Sequence, residues 1–329
     1  CHTAVPELNA FGKAFRDAGY RWPSSVAQRG TLPIATKVNL AYTSAKDPAG
    51  LPKAIVDEVE FLSFGPIRNH LAYRLEQYWL DGGNVGKTRD AYVEYDSDPL
   101  GSWRGSAAAN LSIQLGEFTL PLPNDPETMR PTQNHYAVFD QTVGENPFDL
   151  FNDGMGVNIG YGNRDASISA LVLRGHDPQS GLPIAGTDSM FTTRLGTAAL
   201  SLWGYQYEGA RPIESLADRF IRRGFALTSA SGKSQASILL QTGNDSSPFG
   251  DGKPHASSGG YLQEEWAFSS RWIGVARYDG ASGPNGFVRS TTLSLNYRPY
   301  DRARWTIEDV YQTQPQTTHT LNAAWLFAF

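Results

Sequence analysis

Cysteine is nearly absent from this chain. The single one among 329 residues stands at position 1, which excludes a disulfide framework within the chain and any cysteine-built metal site. Long hydrophobic runs are missing too: no stretch approaches the roughly 18 consecutive apolar residues that a membrane-crossing helix needs. Charged residues make up 19% and the net charge is -5, so there is no basic footprint for nucleic acid, and no such partner is expected. The histidines (His2, His70, His135, His176, His255 and His319) are scattered without metal-ligand spacing. The G-x-S-x-G elbow, the H-E-x-x-H pair, the P-loop and the G-x-G-x-x-G turn do not occur. Two His/Asp neighbourhoods, His176-Asp177 and His255 with Asp251, fall in expected loops. Such residues are ordinarily solvated there, so no enzyme is expected. A basic segment followed by an apolar one is also lacking, and the sequence reads as a processed chain or one without its start. An exported protein crossing an oxidising compartment fits the scarcity of cysteine.

What the chain does have is aromatics, turns and alternation. Aromatic residues reach 12%, with 8 Trp and 15 Tyr, beside 33 Gly and 20 Pro. The mean hydropathy is -0.38. From about residue 31 onward apolar and polar residues alternate with period two, the pattern of strands with two chemically different faces. Leu71, Tyr73, Leu75 and Trp79 alternate with Arg74, Glu76 and Tyr78, and Leu293, Leu295 and Tyr297 alternate with Ser294, Asn296 and Arg298. Sixteen such segments are expected, at 34–45, 55–65, 68–80, 89–97, 108–120, 153–163, 165–176 and 188–196 in the first half. In the second half they run 198–209, 217–230, 233–244, 258–269, 271–280, 287–298, 303–314 and 318–329. The phase is ambiguous in 165–176 and 258–269. Links after even-numbered segments are mostly short. Those after most odd-numbered ones, including 46–54, 81–88, 121–152, 177–187, 245–257 and 281–286, are longer and rich in Gly, Pro and Asp. Two links, 98–107 and 314–317, break that rule.

At the carboxyl end Leu321, Ala323, Trp325, Phe327 and Phe329 are apolar at every second position, and Phe329 is the last residue. This resembles the C-terminal strand of Gram-negative outer-membrane proteins. An all-β, transmembrane antiparallel barrel of about 16 strands is therefore expected over 31–329, preceded by a short periplasmic segment, 1–30, with a helical stretch. Both termini would face the periplasm, and outer-membrane lipids would be the barrel's surroundings. Inside a bilayer every backbone polar group must be paired, so a sheet has to close on itself. Tyr42, Trp79, Tyr95, Tyr161, Tyr207, Tyr261, Tyr278 and Trp305 are candidates for the aromatic girdles at the two interfaces. The rival reading is a soluble all-β binding protein, such as a sandwich, with the apolar face inside. Glu58, Glu264 and Asp309 fall in places on the lipid-side phase, which marks either a register slip or the membrane interface.

The longest link, 121–152, follows the fifth segment. The resemblance to general porins, carried by strand number, loop placement and the last strand, implies that this link folds into the channel and narrows it. It further implies a homo-oligomer, with a trimer favoured. Acidic groups at such a constriction would be Asp125, Glu127, Asp140, Glu145 and Asp149, with Arg130 in the same loop. Opposing bases would be lumen-facing Arg74, Arg174, Arg194 and Arg222. Charges opposed across a narrow pore sort solutes by charge and dipole. The expected function is passive diffusion of small hydrophilic solutes or ions.

The amino terminus admits a second reading. Cys1-His2 could end a C-x-x-C-H haem-attachment site, with His2 as an axial iron ligand. The opening resembles barrel proteins that carry a c-type haem motif ahead of the first strand. That resemblance implies an electron-transfer assembly with a periplasmic or multihaem cytochrome as partner. A lipidated Cys1 is another possibility. Leu8, Phe11 and Phe15 lie at helical spacing, so 8–20 could pack beside a haem or close the periplasmic mouth. His70, Met129 and His135 are available types for a second ligand.

Overall fold

A computed structural model of the chain describes residues 2–4, 7–8, 10–21, 34–46, 52–101, 108–123, 130–151, 153–176, 183–197, 199–313 and 317–329. Sixteen antiparallel strands form one closed barrel. The first five are β1 (Ile34–Lys46), β2 (Pro52–Arg68), β3 (Leu71–Asp81), β4 (Thr88–Asp96) and β5 (Asn110–Thr119). After the long loop come β6 (Asp153–Gly162), β7 (Ala166–His176), β8 (Pro183–Gly196), β9 (Leu200–Ile213), β10 (Leu216–Ser231) and β11 (Ser234–Asp245). The circle is completed by β12 (His255–Ala267), β13 (Trp272–Gly283), β14 (Gly286–Tyr297), β15 (Ala303–Thr313) and β16 (Thr317–Ala328). A two-residue rung, Asn84–Val85, extends the β3 hairpin.

Closure is made by the chain's last strand. β16 pairs with β1 from Asn322 opposite Thr43 to Ala328 opposite Lys37. Phe329 then donates its N–H to the Thr36 carbonyl (2.9 Å) and accepts the Thr36 N–H (3.2 Å). The seam thus leaves no unpaired edge, the condition for a sheet that meets lipid on one face.

Burial is inverted relative to a soluble fold. Leu115, Trp79, Leu240 and Ile307 are at least 60% exposed on the outside, whereas Asp188, Arg211, Arg222, Asp245, Arg277 and Glu308 are 2% exposed or less inside. A sandwich would do the reverse, and that reading is set aside. Aromatics collect on the outer face at the end of short turns. There Trp272 lies 4.5 Å from Tyr297 between ring centroids, and Tyr297 lies 5.8 Å from Trp305. Tyr207 and Tyr261, expected in this girdle, instead face inward at 3% exposure each.

Register corrects other expectations. Leu171 and Leu173 face the lumen, opposite Asn158 and Gly156, so Arg174, taken as a lumen base, points outward and is exposed. Around Leu171 and Leu173 both faces of β7 are apolar, because the lumen face there lies under the long loop, and the alternation loses its phase. Glu58 faces inward: an irregularity between Asn39 and Leu40 skips Asp57 in the pairing with β2 and shifts the phase. Glu264 and Asp309 do face outward, near strand ends, partnered by Ser234 and by His319 (2.6 Å). The expected long link 281–286 is a two-residue turn, Pro284-Asn285, because β13 runs on to Gly283 and β14 begins at Gly286.

Ahead of the barrel, His2–Ala4 pairs with Glu7–Leu8, and α1 (Ala10–Asp17) follows. Leu8, expected in the helix, lies in that short pairing. α1 and the residues after it fold against the inner wall at the short-turn end: Tyr20 stacks on Phe64 (4.3 Å) and Phe15 meets it edge-on (6.4 Å). Arg21 fixes them there by donating to the carbonyls of Arg68 and Leu71 (2.5 and 2.8 Å).

Candidate functional site

The loop between β5 and β6 folds into the barrel, and its residues 130–151 reach across to the far wall. One side of it is apolar. Tyr136, Val138, Phe139, Phe148 and Leu150 join Leu171, Leu173, Met190, Tyr207, Phe220 and Tyr261 of the wall in a single buried core. Phe148 sits 4.5 Å from both Tyr207 and Phe220. Phe148→Ala is expected to cost about 3–5 kcal/mol, the range for a buried Phe truncated to Ala. Limited proteolysis should cut the loop faster while the strands stay folded.

The other side of the loop is tied by polar groups. Glu308 on β15 accepts the backbone N–H of Gln133 (2.8 Å) and of Asn134 (2.7 Å). Arg277 on β13 donates to Thr132 Oγ1 (2.9 Å) and to the carbonyls of Asn134 (2.9 Å) and His135 (2.7 Å). The same guanidinium pairs with Asp279 (2.9 Å) and covers the Tyr136 ring at 4.3 Å. At the tip, Asn285 accepts the Gly144 N–H (2.8 Å) and donates to its carbonyl (3.0 Å). Gly144 has φ +62° and a Cβ there would lie 2.5 Å from the Pro248 carbonyl, so this latch requires glycine.

Charges gather on the inner face of β1–β4. Lys37 pairs with Glu60 and, at 3.5 Å, with Glu58. Arg74 pairs with Glu76 and with Asp90 (2.5 Å), and its Nη1 donates to the Tyr20 hydroxyl (2.8 Å). Arg89 stands 3.8 Å from Glu76 and donates to Tyr78 (3.0 Å). Asn39 links this wall to the loop through Asp57 (3.1 Å) and Gln133 (3.4 Å). Lys37 and Glu58 are the more open members, with side chains 13% and 22% exposed.

The expected constriction residues separate on this geometry. Asp125 and Glu127 lie outside the described residues. Asp140 faces the lumen 3.3 Å from His135. Glu145 is exposed at the loop tip, its N–H bound to the Pro248 carbonyl (2.8 Å). Asp149 accepts the Phe151 N–H (3.0 Å) on the return limb. Arg130 brings a base, not an acid, toward β2: it is held below its ordinary pKa by burial and raised by Glu58. Of the wall arginines, Arg74 joins the β1–β4 cluster. Arg194 serves the short-turn end, donating to the carbonyls of Asn163 (2.9 Å) and Arg164 (2.8 Å). Arg222 is buried beneath the loop in a two-pronged pair with Asp245 (2.7 and 3.0 Å) and does not oppose the loop's acids. Sequence reasoning missed Arg277, Glu308, Lys37 and Glu60. Their inward phase was visible, but their partners lie up to 175 positions away.

Cys1 lies outside the described residues, and of His2 only the backbone is described. Among the described residues no group of three His, Cys, Asp or Glu is placed to hold a metal. Asp251 binds its own loop through the Lys253 N–H (3.0 Å), while His255 meets the Phe249 ring edge-on. Asp177 lies outside the described residues.

Confinement within the barrel, and then the Arg130 charge, hold His135 below its ordinary pKa, while Asp140 pulls the other way. With 43% of the side chain exposed, water limits the shift. Because the folded pKa is the lower one, the released loop binds the proton more readily. The seated loop therefore loses stability as pH falls through about 6.5. Brief excursions to higher conductance in planar-bilayer recordings should become more frequent from about pH 7 to pH 5, and His135→Gln should remove the change.

No family model matches the chain, and no curated protein matches it in sequence. Solved structures do match in fold. An anion-selective porin from Comamonas acidovorans superposes with a TM-score of 0.68 at 11% identity, over 91% of this chain and 99% of that one. The fold is that of the porins. OmpF of Salmonella typhi gives 0.64 at 10% identity, over 91% of this chain and 97% of that one. The outer-membrane channel DcaP of Acinetobacter baumannii gives 0.61 at 10%, over 92% and 99%.

Proposed function

We propose that this chain is an outer-membrane channel for passive diffusion of small hydrophilic solutes or ions, without catalytic activity. The carrying observation is the inverted barrel: an apolar outer belt, a charged interior, and one long loop bound across the inside. Sixteen strands enclose a lumen wide enough for water, whereas eight would be filled by side chains. The porin-like neighbours support the reading, and one of them, OmpT of Vibrio cholerae, is described in a trimer form. On this reading the short-turn end and both termini face the periplasm, and the barrel sits in lipid as a homo-oligomer, with a trimer favoured. Reconstitution into planar bilayers is expected to give discrete conductance steps, and a folded barrel that never conducts would overturn the proposal.

The sequence Cys1-His2 supports a second reading, a c-type haem at the amino terminus and a cytochrome partner. A reduced-minus-oxidised visible spectrum of the purified protein decides it. A sharp α-band would establish the haem, and a featureless spectrum would dismiss it.

A further inference from the structure

Beyond the β1–β4 cluster, the lumen holds a separate recess of about 510 Å³ between the loop and strands β13–β14, toward the end carrying the long loop. Its walls include Asp140, Gln141 and His135 of the loop, Asp279 of β13 and Phe287 of β14. The Gly144–Asn285 latch is beside it.

Two features of this recess ask for a donor. Asp279 is 1% exposed. It meets Arg277 Nε at 2.9 Å on Oδ2 and lies by the Ala137 amide, yet Oδ1 makes no hydrogen bond. Gln141 Oε1, also buried, has no hydrogen-bond partner. Buried acceptors left unpaired are costly, so groups of this kind point to something that donates to them. Charge sets its sign. Arg277 pairs with Asp279 and Arg130 acts on Asp140 from further off, but among the described residues no Lys or Arg lines the recess, whose walls carry the two carboxylates beside His135. An anion is repelled there. A hard metal ion lacks the cage of carboxylates it needs, since no group of three His, Cys, Asp or Glu converges among the described residues.

We infer that this recess is a binding site for a small organic cation bearing an ammonium or guanidinium group, with Asp140, Gln141 and Asp279 as acceptors. Its volume falls within the range of small-molecule sites. The site's place on a solute path rests on the channel reading above; the binding itself does not.

The test is calorimetric titration of agmatine into the purified barrel in detergent, with uncharged 1,6-hexanediol as the control. Saturable agmatine binding is expected, weakened at least about fivefold by Asp140→Asn, a change of roughly 1 kcal/mol from one lost charge. Gln141→Leu should weaken it as well, while Glu145→Gln, at the exposed loop tip, leaves it unchanged. Absence of saturable binding, equal heats from hexanediol, or wild-type affinity in both Asp140→Asn and Gln141→Leu would overturn the site. A barrel that conducts without binding agmatine refutes the recess alone. One that binds agmatine without conducting refutes the channel alone.

Discussion

Arg277→Ala is expected to raise single-channel conductance about twofold or more, because the group that holds the loop across the lumen is lost. The guanidinium touches the loop at three acceptors and one ring, and it neutralises Asp279 beneath them. Truncation removes all of these and leaves Asp279 buried without its counter-charge. Breaking a buried pair in this one-sided way costs about 3–5 kcal/mol. The loop has an apolar side and a polar side, and only the polar one is cut. It should therefore stay attached near Phe148 and swing away from β13–β15. Arg277→Lys keeps the charge without the planar fork and should fall between the two. Conductance and thermal unfolding of the three proteins check this. Unchanged conductance with a lowered melting temperature would make Arg277 a purely structural group.

Lys37→Gln is expected to shift the channel toward cations by roughly fivefold in permeability ratio, read as a reversal potential across a salt gradient. Lys37 is flanked by Glu58 and Glu60 and is among the open members of the β1–β4 cluster. Removing it leaves two carboxylates without their nearest base, in a site facing the base Arg130 on the loop. A unit charge acting over about 8 Å at an effective dielectric between protein and water is worth about 1 kcal/mol, which is the stated factor. High salt should shrink the effect, since lumen charges are screened over a Debye length. Arg222→Gln is the matched contrast: it removes a buried charge from beneath the loop, so stability should suffer with little change in selectivity.

The strands were open to reading because lipid on one face and water on the other force a period of two on nearly every segment. The pattern failed where that contrast fails. On β7 the inward residues Leu171 and Leu173 pack under the loop, so both faces are apolar and Arg174 was placed on the wrong side. Tyr207 and Tyr261 were misplaced for the same reason, as their rings serve the loop core and not the membrane interface. The loop itself has no period. That it enters the barrel was implied by resemblance alone, and its partners Arg277, Glu308 and Asn285 come from strands far along the chain. Its acidic residues were expected at the constriction on that resemblance alone. In the fold it is Arg130 that approaches the β2 carboxylates, while Glu145 stays at the exposed tip. The Phe15–Tyr20 anchor on Phe64 was foreshadowed by helical spacing, but the contact of Tyr20 with Arg74 was not.

On the channel reading, a loop bound across a sixteen-stranded barrel leaves a narrow, water-filled path. Single-channel recording of the purified chain with uncharged polymers of graded size tests it most directly. Steady steps that small polymers reduce and large ones do not, with the size limit rising in Arg277→Ala, are the predicted result. A correctly folded barrel that passes no current in either form would contradict it.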